Sequence, residues 1–390
     1  MEDDDAGPAQ PMIRLEGLGK RYPDGTVAVD ALDLDVPRGQ VLVLVGPSGC
    51  GKTTTLKMIN RLVEPTSGRV VLDGEDVTAG DPVELRRRIG YVIQQVGLFP
   101  HRTVLDNAAT VLLLTGQKKK AARERAAELL DLVGLDAGLH GPRYPHQLSG
   151  GQRQRVGVAR ALASDPPVLL MDEPFGAVDP IARSRLQSEF LRLQRELGTT
   201  VVMVTHDVEE AVHLGDRVAV LRRGGVLAQV DDPATLLGTP ADDFVADFMG
   251  SDRALKRLGV TSLLEADVQH VPVVAFDDSL ADARAAMSRH DEKWAVALAD
   301  GQLHGWLARD RADGDGQVRD RVQRTEAWVA SDATLKQAMS VMLQQDAGWV
   351  AVLDADDQRF LGVLTPAALH SALRRSVGDG STEQRSVAEL

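Results

Sequence analysis

The stretch GPSGCGKT, residues 46–53 of this 390-residue chain, has the spacing of a phosphate-binding loop. It fits G-x-x-x-x-G-K-[ST] and lies between an apolar strand pattern, QVLVLV, and a helical pattern, which is the context that this motif requires. Glycines let backbone N–H groups surround phosphate oxygens, the lysine reaches the β- and γ-phosphates, and the threonine hydroxyl binds Mg²⁺. The residues predicted to bind nucleotide here are Gly46, Pro47, Ser48, Gly49, Cys50, Gly51, Lys52, Thr53 and Thr54.

An acidic pair ends the apolar stretch PVLLMDEP, residues 167–174. Alone, such a pair is as often a surface feature after a buried strand. A phosphate loop in the same chain makes a role in phosphate chemistry the better interpretation. We expect Asp172 to hold Mg²⁺ together with Thr53, and Glu173 to activate a water for in-line attack on the γ-phosphate.

The stretch LSGGQ, residues 148–152, opens a helical pattern. We expect Ser149 to cap this helix and the two glycines after it to leave backbone donors open for an anion. In combination with the two motifs above, LSGGQ closely resembles the signature of the ATP-binding cassette (ABC) family. The resemblance implies an ATPase that uses ATP and Mg²⁺.

The ABC resemblance also implies a homodimer with two ATP molecules between its subunits. The signature of one subunit would close over the nucleotide that the other subunit binds, and Ser149 and Gly151 would contact its γ-phosphate. The residues implied to act in trans are Leu148, Ser149, Gly150, Gly151 and Gln152.

Four further positions match the family one at a time. By this resemblance, Tyr22 stacks on adenine, and His206, after the apolar stretch VVMVT, is the switch histidine at the γ-phosphate. Asp179 belongs to the dimer loop, although the usual SALD is GAVD here. Gln94, the first of two adjacent glutamines, would join the Mg²⁺ shell or position the attacking water. Gln95 is predicted to have no catalytic role, because it points the other way in an extended segment.

The elements that must position these residues form an α/β pattern from residue 12 to residue 250. Continuously apolar runs such as QVLVLV and PVLLM predict strands buried on both faces of a parallel sheet, with helices between them. The resemblance specifies a P-loop NTPase (RecA-like) ABC ATPase domain with a helical signature subdomain. We expect a helical linker at residues 251–269 and a disordered tail at residues 376–390.

Residues 270–375 contain an internal repeat with a constant offset of 55 residues, which pairs Leu280 with Leu335 and Trp294 with Trp349. Each repeat predicts an amphipathic helix, a strand, a short acidic turn and a second strand. Two such repeats resemble a tandem pair of CBS modules, which is an α+β domain. Nucleotide-binding CBS modules end in G-x-x-[ST]-x-x-D, but the acid is replaced by Arg311 and Ala368 here, which disfavours adenosine nucleotides.

Two hypotheses concern what this pair senses. All four tryptophans, Trp294, Trp306, Trp328 and Trp349, fall in it, and an aromatic cage would bind a quaternary ammonium group. The simpler interpretation is that the rings pack the repeats. Alternatively, the acidic turns and the family resemblance favour a response to ionic strength through charge contacts that salt screens.

Composition limits the function classes. The formal net charge of −13 disfavours a protein that binds nucleic acid through a broad basic face. Cys50 is the one cysteine, which excludes an intrachain disulfide, and we expect it to fill space in the loop. No apolar stretch approaches the ~20 residues that span a bilayer, so we expect any membrane channel to be another chain.

A cassette followed by a CBS pair resembles the ATPase of importers for glycine betaine, proline betaine and related osmoprotectants. It implies a peripheral protein at the cytoplasmic face of the inner (plasma) membrane that energises a separate permease, which an extracytoplasmic solute-binding protein supplies. The CBS pair would regulate activity by osmotic or ionic state. The alternatives are an importer ATPase for an amino acid or a phosphonate, and a soluble ABC ATPase that acts on nucleic acid or ribosomes. The single LSGGQ and the acidic balance disfavour the last of these.

Overall fold

The computed structural model describes residues 10–93, 97–176 and 178–377. Within these residues the chain divides into two compact units, one of residues 10–236 and 240–249 and the other of residues 237–239 and 250–377. Each unit is described separately.

The described residues of the first unit contain ten strands and eleven α-helices, and the last two residues of the tenth helix belong to the second unit. The strands are β1 (Ile13–Arg21), β2 (Val27–Val36), β3 (Val41–Val45), β4 (Ser67–Leu72), β5 (Glu75–Asp76), β6 (Ile89–Val92), β7 (Val168–Asp172), β8 (Thr200–Val204), β9 (Arg217–Leu221) and β10 (Leu227–Asp231). The helices are α1 (Lys52–Ile59), α2 (Pro82–Arg88), α3 (Val104–Ala108), α4 (Thr110–Leu114), α5 (Lys119–Leu132), α6 (Ala137–His140), α7 (Gly150–Leu162), α8 (Pro180–Leu197), α9 (Val208–Leu214), α10 (Pro233–Gly238) and α11 (Asp243–Met249).

A six-stranded sheet with the order β10-β9-β3-β8-β7-β6 organises this unit. The pairs from β9 to β6 are parallel, and β10 adds an antiparallel edge. Every residue of β3, β7 and β8 is buried, as the continuous apolar runs predict for strands covered on both faces. The predicted parallel sheet is therefore confirmed, and its carboxyl edge carries the loops that follow β3, β7 and β8.

A second sheet, β2-β1-β4-β5, is antiparallel throughout, and the sequence patterns did not predict it. One hydrophobic core contains side chains of both sheets and of helix α1, including Leu56, Met58 and Ile59. Helix α1 therefore packs in a core between two sheets, which holds its first residue, Lys52, at a fixed place. Helices α3 to α7 lie in the chain between β6 and β7.

The second unit repeats one topology twice. Its elements are α12 (Arg253–Leu258), β11 (Val273–Ala275), α13 (Leu280–Arg289), β12 (Trp294–Ala299), β13 (Gln302–Ala308), β14 (Trp328–Ala330), α14 (Leu335–Gln344), β15 (Val350–Leu353), β16 (Phe360–Leu364) and α15 (Pro366–Val377). The three-stranded sheets β11-β12-β13 and β14-β15-β16 each pair one parallel and one antiparallel neighbour. The helix, strand, turn and strand of each repeat are confirmed, whereas the short strands β11 and β14 before the helices were not predicted.

The two repeats end differently. After β16 the chain forms the helix α15, but after β13 it forms only a short 3-10 helix, Arg309–Arg311, and a glycine-containing loop. Helix α15 runs to Val377, so the expected tail at residues 376–390 begins at least two residues too early; residues 378–390 lie outside the described residues.

Two of the four tryptophans stack on each other. The ring centroids of Trp294 and Trp349 are 4.6 Å apart and the ring planes differ by 10°. A cation needs a position over a ring face, and this separation leaves none between the two rings. The pair joins the two repeats by packing, as the simpler interpretation predicts, while a cage that uses the outer ring faces stays a prediction.

Within the described residues, no helix is both long enough and apolar enough to cross a membrane.

Candidate nucleotide site

The phosphate loop follows β3 directly and has the backbone shape that its glycines allow. Gly46, Gly49 and Gly51 have φ angles of 150°, 75° and 109°, in the left-handed region that favours glycine. A Cβ at Gly46 would lie 2.3 Å from the Leu221 carbonyl oxygen, and a Cβ at Gly51 would lie 2.3 Å from that of Ala28. The loop therefore requires glycine at these two positions of the motif, because any side chain would collide with the neighbouring backbone.

Lys52 is held inside this loop. Its Nζ donates to the Gly46 carbonyl oxygen at 2.6 Å and to that of Pro47 at 3.2 Å, and only 8% of the residue is exposed. Cys50 is fully buried, with its Sγ 3.7 Å from the same Nζ, which agrees with the expectation that it fills space. The loop's own carbonyl oxygens thus hold the ammonium group at the loop.

Thr53 and Asp172 meet at the carboxyl edge of the sheet. The Thr53 hydroxyl donates to Asp172 Oδ1 at 3.0 Å. Burial raises the pKa of the Asp172 carboxyl, and the Thr53 hydrogen bond and the charges of Lys57 and Lys52 lower it only in part. A hydroxyl and one carboxylate are hard oxygen ligands of the kind that bind Mg²⁺ beside substrate phosphates. These two residues fit the metal; the third expected ligand, Gln94, lies outside the described residues.

Glu173 lies beside His206, at the ends of the adjacent strands β7 and β8. The distance from Glu173 Oε1 to His206 Nδ1 is 3.1 Å. The Glu173 N–H donates to the Val204 carbonyl oxygen at 2.9 Å, and its φ of 47° is unusual for a residue with a side chain. The side chain of His206 is 66% exposed and that of Glu173 is 24% exposed, so the pair faces open space with the carboxylate partly sheltered.

A cavity of 440 Å³ connects the loop with this pair. It is lined by Ala28, Ser48, Gly49, Cys50, Gly51, Lys52, Thr53, Thr54, Glu173 and His206. Tyr22 is 37% exposed and is not among the lining residues, so its contact with adenine stays a prediction. The signature residues are also absent from this lining.

The signature begins helix α7 with a capping box. Ser149 Oγ accepts from the Gln152 N–H at 3.2 Å, and Gln152 Oε1 accepts from the Ser149 N–H at 2.9 Å. The predicted N-cap is confirmed. Leu148 is 5% exposed and anchors the start of the helix. The N–H groups of Gly150 and Gly151 lie in the first turn of the helix, where no intrahelical carbonyl oxygen accepts from them.

Asp179 caps helix α8, with its Oδ1 accepting from the Ala182 N–H at 3.0 Å. Val178 beside it lies against the signature: a Cβ at Gly151 would be 3.4 Å from Val178 Cγ1. The segment before Asp179 and the LSGGQ stretch of one chain are therefore neighbours, although Ala177 between Gly176 and Val178 lies outside the described residues.

One contact of Glu173 was not predicted. Gln154, which is 1% exposed on α7, donates from Nε2 to the Glu173 carbonyl oxygen at 3.2 Å. The signature helix is thus tied to the backbone of the candidate base, at a residue with an unusual φ. The sequence offered one signal for this contact: Gln154 lies four residues before the apolar Val158, so a polar side chain shares a helix face with an apolar one.

We expect Gln154→Met to lower kcat about tenfold with little change in the Kd for ATP. The Glu173 carbonyl oxygen also accepts from the Gly176 N–H at 3.3 Å, so we expect the net loss of one hydrogen bond, about 0.5–1.5 kcal/mol, and about 1.4 kcal/mol corresponds to a factor of ten in rate. Steady-state ATPase assays and ATP titration measure the two quantities. Gln154→Glu keeps the shape but sets a carboxylate against the carbonyl, so it should be the slower variant; equal activity of both variants with the unchanged chain would exclude this role.

Comparisons with known proteins agree with this geometry. The family described as "ABC transporter" matches residues 29–176, and the family described as "CBS domain" matches residues 318–375, which contain the second repeat. A dimeric bacterial ABC transporter cassette of known structure superposes with a TM-score of 0.53 at 36% identity, over 57% of this chain and 98% of that one. The same cassette in a post-hydrolysis state, bound to ADP and Pi, superposes with a TM-score of 0.53 at 35% identity over the same shares of the two chains.

Several relatives match over nearly the full length of this chain, and two of them are described here. A glycine betaine/carnitine/choline transport ATP-binding protein of Bacillus subtilis is 42% identical over 92% of this chain and 95% of its own. An osmoprotectant import ATP-binding protein of Salmonella typhimurium is 44% identical over 91% and 94%. With a phosphate loop, an acidic strand end and a capped signature helix on one α/β unit, and a CBS domain after it, the chain belongs to the ATP-binding, ATP-hydrolysing subunits of ABC transporters.

Proposed function

We propose that this chain hydrolyses ATP to drive import of glycine betaine, proline betaine or a related quaternary-amine osmoprotectant through a separate permease. The observation that carries the hydrolytic part is the Glu173–His206 pair at the mouth of the cavity that Lys52 and Thr53 line. The relatives named for glycine betaine/carnitine/choline transport and for osmoprotectant import support the solute.

In the proposed reaction, backbone N–H groups of residues 46–54 and the Lys52 ammonium hold the β- and γ-phosphates. Thr53 and Asp172, with Gln94, would hold Mg²⁺, which would neutralise charge on the phosphates. Glu173 accepts a proton from the attacking water, and His206 orients the γ-phosphate and contacts the base. The products are ADP and phosphate.

We further propose that two chains form a head-to-tail dimer around two ATP molecules. Ser149 already accepts a capping hydrogen bond, which leaves its hydroxyl hydrogen to donate to a phosphate of the partner's nucleotide. The open N–H groups of Gly150 and Gly151 would add to this anion site. The cavity of one chain has no signature residue in its lining, which supports a contribution from a second copy.

We assign hydrolysis to residues 12–250, a linker to residues 251–269 and regulation to the CBS pair at residues 270–375. The subunit would bind the permease at the cytoplasmic face of the inner membrane, with a solute-binding protein on the other side. Ionic state is the favoured signal, because the stacked Trp294–Trp349 pair and the missing acids at Arg311 and Ala368 disfavour a betaine cage or an adenosine ligand.

Solute uptake in cells that lack the chromosomal copy tests this function. We expect the intact chain, but not its Glu173→Gln variant, to restore accumulation of radiolabelled glycine betaine under osmotic stress. Uptake of glutamine and of methylphosphonate serves as the control. If either control solute depends on the chain and betaine does not, the alternative importer class is correct.

A further inference from the structure

The loops at Asp179 and His206 lead into helices α8 and α9, which side-chain contacts join. Helix α8 starts immediately after Asp179, and helix α9 starts immediately after Asp207, which follows His206. Asp179 and Asp207 are the N-caps of these two helices. The first turns of α8 and α9 therefore continue the dimer loop and the switch loop.

A buried polar bridge joins the two helices. Gln187 Nε2 on α8 donates to Glu210 Oε1 on α9 at 3.0 Å, and both residues are 7% exposed. Thr205, 1% exposed, lies beside the same carboxylate, and its Oγ1 accepts from the Asp207 N–H at 3.1 Å. Gln187, Thr205 and Glu210 are called the polar bridge below.

A second contact runs parallel to the polar bridge nearer the loops. Arg183, one helical turn before Gln187, donates from Nη2 to the Val178 carbonyl oxygen at 3.0 Å. Its Nη1 is 3.9 Å from Asp207 Oδ2. One guanidinium therefore contacts the residue before Asp179 and the residue after His206.

The polar bridge costs more desolvation free energy than an apolar contact between the same two helices would. Burial raises the pKa of the Glu210 carboxyl, as does the charge of Asp207, while hydrogen bonds from Thr205 and Gln187 and the charge of Arg183 lower it only in part. An apolar pair in the same place would avoid this desolvation. A satisfied polar contact has one preferred geometry, however, and so fixes the relative position of the two helices more narrowly.

We propose that Gln187, Thr205 and Glu210 are positioning residues that make the His206 loop and the Asp179 loop move as one body. This inference rests on the proposed function, in which His206 contacts the γ-phosphate of its own subunit and Asp179 faces the partner. Movement of the His206 loop at one ATP would then shift the Asp179 loop, which faces the partner subunit and its ATP. The bridge would make the two sites of the dimer cooperate.

The test compares three bridge variants of the full-length chain. Gln187→Leu leaves a buried carboxylate without its donor. The pair Gln187→Glu with Glu210→Gln reverses donor and acceptor and restores the hydrogen bond, and the Thr205 hydroxyl can still donate to the new amide. The pair Gln187→Leu with Glu210→Leu replaces both groups by apolar ones, which can be nearly neutral for stability. Ser188→Ala, on the exposed side of α8, is the matched control.

For each variant we would measure Tm, kcat, the Hill coefficient for ATP, and ATP affinity in a Glu173→Gln background. We expect Gln187→Leu to lower Tm, to lower kcat about tenfold and to reduce the Hill coefficient from about 2 to about 1, the limits for coupled and independent pairs of sites. The reversed pair should recover all three. The double leucine variant should recover Tm but not the Hill coefficient, and the intrinsic ATP affinity of a single site should stay unchanged throughout.

A double leucine variant with the kcat and Hill coefficient of the unchanged chain would overturn the inference, because the polar bridge would then be only structural. Failure of the reversed pair to recover kcat and cooperativity while it recovers Tm would overturn it as well. A Hill coefficient of 1 and no ATP-dependent dimer in the unchanged chain would instead contradict the dimer of the proposed function.

Discussion

Glu173→Gln should bind ATP with nearly unchanged affinity and hydrolyse it 10²- to 10⁴-fold more slowly, the range that general base catalysis contributes. The amide is isosteric, can keep the contact with His206 at 3.1 Å and preserves the backbone hydrogen bond to Val204. What it loses is the ability to accept a proton from water. ATP should therefore accumulate in the site, and the dimer should persist.

Steady-state phosphate release, ATP titration and size-exclusion chromatography with ATP measure these three effects. Glu209→Gln is the matched control, since Glu209 is exposed on the helix that follows His206 and no role is assigned to its side chain. Turnover of Glu173→Gln within a few-fold of the unchanged chain would show that another group takes the proton. Loss of ATP binding would show that the residue acts on the loop rather than on water.

Lys52→Ala should lose ATP affinity by two orders of magnitude or more. Each hydrogen bond to a charged group contributes about 1.5–3 kcal/mol, and every 1.4 kcal/mol is about tenfold in Kd. The variant also removes the donor that the Gly46 and Pro47 carbonyl oxygens share in the loop, so binding groups are lost and the loop shape is weakened together.

Calorimetric titration with ATP in the Glu173→Gln background avoids hydrolysis during this measurement. Lys52→Arg distinguishes the effect of the charge from that of side-chain size, because it keeps the positive charge. The guanidinium is too large for the site of a residue that is 8% exposed, so we expect weak ATP binding by this variant too. Lys120→Ala, with a side chain that is 90% exposed, should bind ATP normally. An affinity for Lys52→Ala within threefold of the control would contradict the assigned role.

The sequence predicts the parallel sheet and the gathering of the site for the same physical reason. Strands buried on both faces have continuous apolar runs, and parallel strands end at one edge. Motifs that follow such runs, at Lys52, Asp172 and His206, must therefore meet there. The antiparallel sheet was not predicted, because its strands, such as β2, mix buried and exposed residues and have no chemical motif at their ends.

The contacts that orient the candidate base could not be predicted in the same way. Gln154 and Glu173 are far apart in sequence, as are Gln187 and Glu210, and a polar residue on an apolar helix face does not name its partner. The left-handed backbone of Glu173 is likewise set by its neighbours rather than by its own preference. Motifs indicate which groups act, and tertiary packing decides how narrowly they are held.

The tryptophans of the chain are confined to one of its two units. All four indoles belong to the second unit, so the unit that hydrolyses ATP emits no tryptophan fluorescence of its own. Trp294 and Trp349 are nearly parallel at 4.6 Å, close enough for their excited states to couple, so their circular dichroism depends on whether the two repeats stay in contact. The chain thus carries an intrinsic tryptophan reporter of its CBS pair, because the first unit contains no tryptophan.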